Sequence, residues 1–274
     1  MRHAPPRTRV GASAVVALLA LAACGGSSSG SSAPTSAAGS ASAAVTPSSS
    51  PSGGITVFAA ASLKESFTAI GTAFEAAHPG TTVTFSFAAS SALAQQIIQG
   101  APADVFASAS PTNMKQVIDA KAANSSTAFA KNVLEIAVPP SNPANVTGVT
   151  DLGKSSVKVV LCQPQVPCGA LAQSVLAKAK VTVKPVSLEP DVKSTLAKVE
   201  LGEADAGMVY VTDVNSAGTK VDGVEIPADV NSATTYPIAA LNDSKNIPVA
   251  NAFVAYVLSP AGQSELRKVG FQAP

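Results

Sequence analysis

The chain has 274 residues, 46% of them hydrophobic, with 18 basic and 17 acidic side chains and a formal net charge of +1. A charge so near balance, with no basic stripe, excludes a protein that grips nucleic acid by neutralising phosphates. Two histidines and three cysteines leave little material for a protein-held metal centre.

Arg2, Arg7 and Arg9 precede an apolar run from Val10 to Ala23, too short to span a membrane as a mature helix. The run ends in Leu21-Ala22-Ala23-Cys24-Gly25. That pattern resembles the lipobox of bacterial lipoproteins, which implies a signal peptide over residues 1–23, cleavage before Cys24 and lipid on that cysteine. An ordinary secretory leader with an incidental cysteine is the alternative. The expected location is the outer face of the bacterial cytoplasmic membrane, held by the lipid anchor. Without the leader, 15 basic residues face 17 acidic ones, a net charge of −2. From Gly25 to Gly54 the sequence is almost only Ser, Gly, Ala, Pro and Thr. Such a stretch cannot bury a core and reads, over residues 24–53, as a flexible tether.

The folded part begins near Ile55. Ile55 to Phe58 have strand character and run into three alanines, after which Leu63, Phe67, Ile70 and Phe74 mark one helical face. Ser62 stands at the switch with Glu65 three residues later, the spacing of a capping box. A strand that hands over to a helix in this way presents free N–H groups and the positive end of the helix dipole, which suits an anion. His78-Pro79-Gly80 is a turn, with His78 expected in solvent. Val83, Phe85 and Phe87 alternate as a strand and lead into Ala88-Ala89-Ser90-Ser91 and a helix carrying Leu93, Ile97 and Ile98. The strand, small residues, serine, helix order thus occurs twice, each serine following the carboxyl end of a strand, where open α/β sheets bind ligands.

Residues 100–109 read as a turn and short strand, Pro111 to Ala120 as a helix, and Leu134 to Val138 as a strand closed by two prolines. In the second half Val157 to Leu161 is a strand. Cys162 and Cys168 bracket a proline-rich loop; in an exported chain they are most simply a structural disulfide, since a redox pair favours C-x-x-C. Cys168-Gly169-Ala170 opens a helix, Val181 to Val186 is strand-like, and Asp191 is placed to cap a helix carrying Leu196 and Val199. Ala204 to Val211 is a buried strand with Tyr210 near its end, and Thr235 to Leu241 another. Asn246 to Leu258 and Ala261 to Val269 close the chain as helices. This β/α alternation predicts an α/β fold with mainly parallel sheets.

Three stretches, Phe58-Ala59-Ala60-Ala61-Ser62-Leu63, Phe87-Ala88-Ala89-Ser90-Ser91-Ala92-Leu93-Ala94 and Gly100-Ala101-Pro102-Ala103-Asp104-Val105-Phe106, resemble the first-lobe signatures of the molybdate-binding proteins of ABC transporters. Val166-Pro167-Cys168-Gly169, Pro190-Asp191-Val192 and Gly207-Met208-Val209-Tyr210 resemble their second-lobe signatures, and Ser259-Pro260-Ala261-Gly262-Gln263 with Gly270-Phe271 fits their close. The resemblance implies a type II periplasmic-binding-protein fold. Lobe 1 would be residues 54–132 and 238–274, lobe 2 residues 133–237, each a mainly parallel sheet flanked by helices with the ligand in the cleft. It implies hydroxyl and amide donors from Ser62 and Ser90, backbone N–H groups from Cys168 and Val192, and a phenol from Tyr210. Cys168 departs from the small apolar residue of that position, which a main-chain donor tolerates. The implied protein is a monomer that delivers molybdate or tungstate to an ABC permease and its ATPase. It needs no cofactor, and molybdenum enters only as the bound oxyanion.

The chemistry is coherent beside the resemblance. A dianion without protons offers only acceptors, so a site built of donors leaves nothing unpaired. Hydrogen phosphate carries a proton and is penalised there; sulfate shares the charge pattern but is smaller. Sulfate or a phosphate-type anion is the alternative ligand. An enzyme would need the serines as nucleophiles, yet the folded part has no G-x-S-x-G elbow and no histidine suited to a triad. A Ser-Lys dyad through Lys64 or Lys193 is the remaining hydrolase reading, and an adhesive lipoprotein would explain the tether without the serine corners.

Overall fold

The computed structural model describes residues 51–274. The expected leader, Cys24 and most of the tether lie outside the described residues. The tether's last residue, Gly53, is already the first residue of a strand: β1 (Gly53–Ala60) pairs with β2 (Thr81–Ala88) from Gly53↔Thr81 onward. A 3-10 turn (Ala61–Leu63) and α1 (Lys64–Ala77) follow β1, and α2 (Ser90–Ile98) follows β2. His78 closes α1 with its ring stacked on Phe74, half-buried instead of solvated.

The chain continues through β3 (Val105–Ala107), α3 (Pro111–Asp119) and the long β4 (Thr127–Val138). Ser110 caps α3 by accepting from the Asn113 N–H, and Pro111 occupies the first turn, where its missing N–H costs nothing. Next come β5 (Val159–Cys162), α4 (Pro167–Ala179), β6 (Ser187–Glu189), α5 (Val192–Glu200), β7 (Ala206–Tyr210), α6 (Val211–Ala217) and β8 (Asp222–Val224). The chain then forms β9 (Ala233–Ala240), α7 (Ile247–Leu258) and α8 (Pro260–Lys268).

The strands lie in the order β2-β1-β3-β9-β4-β7-β5-β6, with β8 on β4. The pairings among β1, β2 and β3 and among β5, β6 and β7 are parallel. The antiparallel pairings all involve β4 or β9. β4 carries the sheet from one half to the other: its residues up to Val133 pair with β9, and those from Leu134 pair with β7. Two of the three hydrophobic clusters among the described residues follow this division. One is built on Phe67, Phe74, Phe129 and Phe253, the other on Ile136, Val160, Val199 and Met208, and the third gathers Phe58, Leu93, Phe106 and Met114. Ala61 and Ala89, on the corners after β1 and β2, pack into the second of these cores.

The structure corrects the strand expected over Val181 to Val186. Its alternation of apolar and polar residues mimics a half-buried strand, but Pro185 has no N–H to give. The edge of the sheet is instead β6, paired Val160↔Ser187 to Cys162↔Glu189, and Val186 is exposed. Cys162 and Cys168 form a disulfide, S–S 2.01 Å, that ties the end of β5 to the first turn of α4.

Gly169 lies under that bridge. A Cβ there would stand 2.0 Å from the Gln163 carbonyl oxygen, a backbone atom that cannot swing away. Gly169→Ala is expected to cost about 1–3 kcal/mol through overpacking, read as a lower urea midpoint. An unchanged midpoint would show that the loop has room to move.

Candidate functional site

Five chain corners meet between the two halves of the sheet, each at or beyond the carboxyl end of a strand. β1, β2, β5, β6 and β7 lead respectively to Ser62, Ser90, Cys168, Val192 and Tyr210, and all five of these residues line one cavity. Ala60, Ala61, Ala89, Ala109, Pro167 and Asp191 complete its wall. Alanines suit this place because they let backbone approach the cavity closely. The cavity volume is about 20 Å³, a little above the roughly 10–15 Å³ that one water needs. It is a small space, on the scale of one or two water-sized groups.

Helix starts and hydroxyls lie around this space. Ser90 opens α2, Pro167 and Cys168 open α4, and Val192 opens α5. First-turn N–H groups have no acceptor within their own helix, and the positive dipole ends converge here. Asp191, also in the wall, accepts from the Ser194 N–H through its Oδ1 at 2.9 Å, capping α5 as its spacing predicted. None of the lining residues is Lys, Arg or His.

The capping box expected between Ser62 and Glu65 does not form. A 3-10 turn intervenes, and α1 begins at Lys64 without a side-chain cap. The Ser62 hydroxyl instead meets Tyr236 Oη at 2.9 Å, 174 residues away on β9. Glu65 pairs with Lys193 at 2.8 Å. Ser90 Oγ accepts from the Ala109 N–H at 2.9 Å.

Tyr210 is 1% exposed, and its hydroxyl is buried with no hydrogen-bond partner. Burial pushes its pKa well up, so the group stays a phenol with a proton to give. Its backbone N–H donates to Asp213 Oδ2 at 3.2 Å. Asp213 in turn meets the Lys193 ammonium at 2.9 Å. Burial pulls the Lys193 pKa down, but Asp213 and Glu65 outweigh it and the net shift is upward. Lys193 thus joins α5 to α6 on one side and α1 on the other. With Ser62 on Tyr236 and Lys193 on two carboxylates, and with Lys64 exposed, neither Ser-Lys pairing is made.

Sequence reasoning missed Tyr236, Asp213 and the Glu65–Lys193 contact. The Tyr210-to-Asp213 spacing is that of a capping box and was a usable signal. The other two contacts join segments more than a hundred residues apart and have no local signature.

Residues 55–272 match the family described as bacterial extracellular solute-binding protein. The chain belongs to this family. Among its relatives is the molybdate-binding protein ModA of Mycobacterium tuberculosis, 43% identical over 221 residues, covering 80% of this chain and 85% of the relative. The periplasmic molybdate-binding protein of Azotobacter vinelandii superposes with a TM-score of 0.71 at 19% identity, covering 80% of this chain and 99% of that one. The sulfate-binding protein SubI of Mycobacterium tuberculosis gives 0.73 at 19% identity, covering 80% and 86%. At these identities the two structures establish the shared fold.

Lys193→Met would leave the Asp213 carboxylate, 0% exposed, without its counter-charge. The expected loss is about 3–5 kcal/mol at neutral pH, measured by chemical denaturation, with partial recovery when Asp213→Asn is added. Loss of less than about 1 kcal/mol would show that the pair does not hold this side of the cavity.

Proposed function

We propose that this solute-binding protein captures molybdate, and with it tungstate, in the cavity between the sheet halves and hands it to an ABC permease with its ATPase. The observation that carries the reading is the buried Tyr210 hydroxyl, left without a partner in a cavity lined by two serines and by three helix starts. A proton-free dianion supplies the missing acceptors. In this reading Ser62 and Ser90 give hydroxyl and amide protons, Cys168 and Val192 give main-chain N–H groups, and Tyr210 gives its phenol proton. Relatives that bear the name molybdate-binding protein support the choice of ion. Residues 54–132 with 238–274 and residues 133–237 act as the two lobes. Their closure removes water from the ion and creates the surface that the permease reads. The protein works as a monomer on a lipid anchor at Cys24, joined by the tether to the outer face of the membrane, and it binds its ligand without chemical change.

Calorimetric titration of the purified chain with molybdate, tungstate, sulfate and phosphate tests this directly. Molybdate and tungstate are expected to bind and sulfate to be far weaker, because an ion of smaller radius leaves part of the donor shell out of reach. Equal sulfate affinity would make the protein a sulfate carrier with the same site. Ser62→Ala and Ser90→Ala are each expected to lose about 1.5–3 kcal/mol of binding, the worth of a hydrogen bond to a charged group. Tyr210→Phe should weaken binding similarly while leaving the ligand-free protein as stable as before or more so, since the hydroxyl it removes has no partner to lose. Unchanged affinity in all three variants would move the ligand elsewhere.

A further inference from the structure

Ser62 and Ser90 face the same cavity, and each hydroxyl also meets one group of the protein. For Ser90 the direction of that bond is set by chemistry, because its partner is the Ala109 N–H, which can only donate. Ser90 Oγ therefore accepts, and its own proton is left for the cavity. Ser62 meets Tyr236 Oη at 2.9 Å, a contact in which either oxygen can give the proton.

Tyr236 decides the direction. It is 0% exposed, and Ser62 Oγ lies 2.9 Å from its hydroxyl, with the Asn132 and Tyr210 side chains also beside it. If Ser62 gave its proton to Tyr236, the phenol proton would be left to the Tyr210 oxygen, with which no hydrogen bond is formed, and Ser62 would show the cavity only lone pairs. If Tyr236 gives, both groups are satisfied and Ser62 keeps a proton for the cavity. Three rings hold the phenol at this point: Phe129, Tyr210 and Phe271 lie edge-on to it at 6.2, 6.1 and 5.2 Å. Burial also raises the Tyr236 pKa, so the donor is not lost to ionisation. Tyr236 itself is not part of the cavity wall.

We infer that Tyr236 is a positioning residue that holds the Ser62 hydroxyl as a donor toward the cavity, and that it thereby sets the preference for proton-free oxyanions over protonated ones. This rests on the oxyanion reading of the cavity. Tyr236 does for Ser62 what the Ala109 N–H does for Ser90. Without it, Ser62 is free to turn and accept, which removes a donor from a dianion and offers an acceptor to an anion that carries a proton.

The test is a calorimetric cycle on the full chain with Tyr236→Phe, Ser62→Ala and the double variant, titrated with molybdate and with hydrogen phosphate at slightly alkaline pH. Tyr236→Phe is expected to weaken molybdate roughly tenfold, to narrow the molybdate-to-phosphate ratio, and to add almost nothing once Ser62 is alanine. The same loss in both backgrounds would mean that Tyr236 acts through packing, and no loss in either would mean that it does not orient Ser62; both outcomes overturn the inference. Should Tyr236→Phe fail to fold, Tyr236→3-fluorotyrosine keeps the ring and makes a stronger donor. Molybdate should then bind at least as tightly, and weaker binding would overturn the inference. Silence of the wild-type chain toward every oxyanion would overturn the reading of the cavity and this inference together.

Discussion

A shortage of acceptors at the centre of the molecule governs the rest of the structure. Helix starts, two serine hydroxyls and a phenol converge on about 20 Å³ of space, and every one of them has a proton directed there or free to be. Leaving one buried hydroxyl unpaired costs about 1–3 kcal/mol, and Tyr210 bears that cost in the ligand-free protein. Such an imbalance persists only where a bound group relieves it. The absence of a cation from the wall is part of the same design. A lysine in the cavity would hold any anion, whereas fixed N–H and O–H dipoles bind only what can accept from all of them at once.

The scaffold keeps those dipoles in place. Tyr236 reaches the site from β9, and β4 and β9 are the strands through which the two halves of the sheet are joined. The disulfide and Gly169 press the Cys162–Cys168 loop onto the start of α4, so that a cysteine at position 168 stiffens the corner it occupies. Lys193 stands behind Val192 and bridges α1 to α6, tying corners from both halves together a short distance from the cavity. Asp104, in one of the stretches that carried the family resemblance, acts structurally: its carboxylate accepts from the Thr56 N–H, the Ser244 hydroxyl and the Lys245 N–H.

Much of this was legible in the sequence where signals are local. The strand–serine–helix corners, the Asp191 cap, Pro111 in the first turn of α3 and the buried strand ending at Tyr210 all depend on residues within a few positions of each other. The five corners themselves were identified by resemblance, and the structure brings them to one cavity. What failed were inferences that assumed a local partner. Ser62 and Glu65 have capping-box spacing, but each is claimed by a distant residue, Tyr236 and Lys193. The first half of β4 was invisible because Asn132, buried in the strand, breaks its apolar pattern, and the bond that justifies it, to Thr212 Oγ1 at 2.8 Å, lies 80 residues on. Residues 181–186 alternate like a strand, yet the first bond to β5 is made by the Val186 N–H to the Val159 carbonyl, after Pro185, which has no N–H to give.

The central claim is that the site accepts an ion carrying no proton and supplies none of its own by ionisation. The most direct measurement is the number of protons exchanged on binding, obtained by titrating molybdate in buffers of different ionisation enthalpy from neutral to mildly alkaline pH. Donors that stay protonated throughout, as burial ensures for Tyr210 and Tyr236, predict a binding enthalpy independent of the buffer and no net proton exchange. Uptake or release approaching one proton per ion would contradict the account, because it would mean that a group of the site changes its protonation on binding.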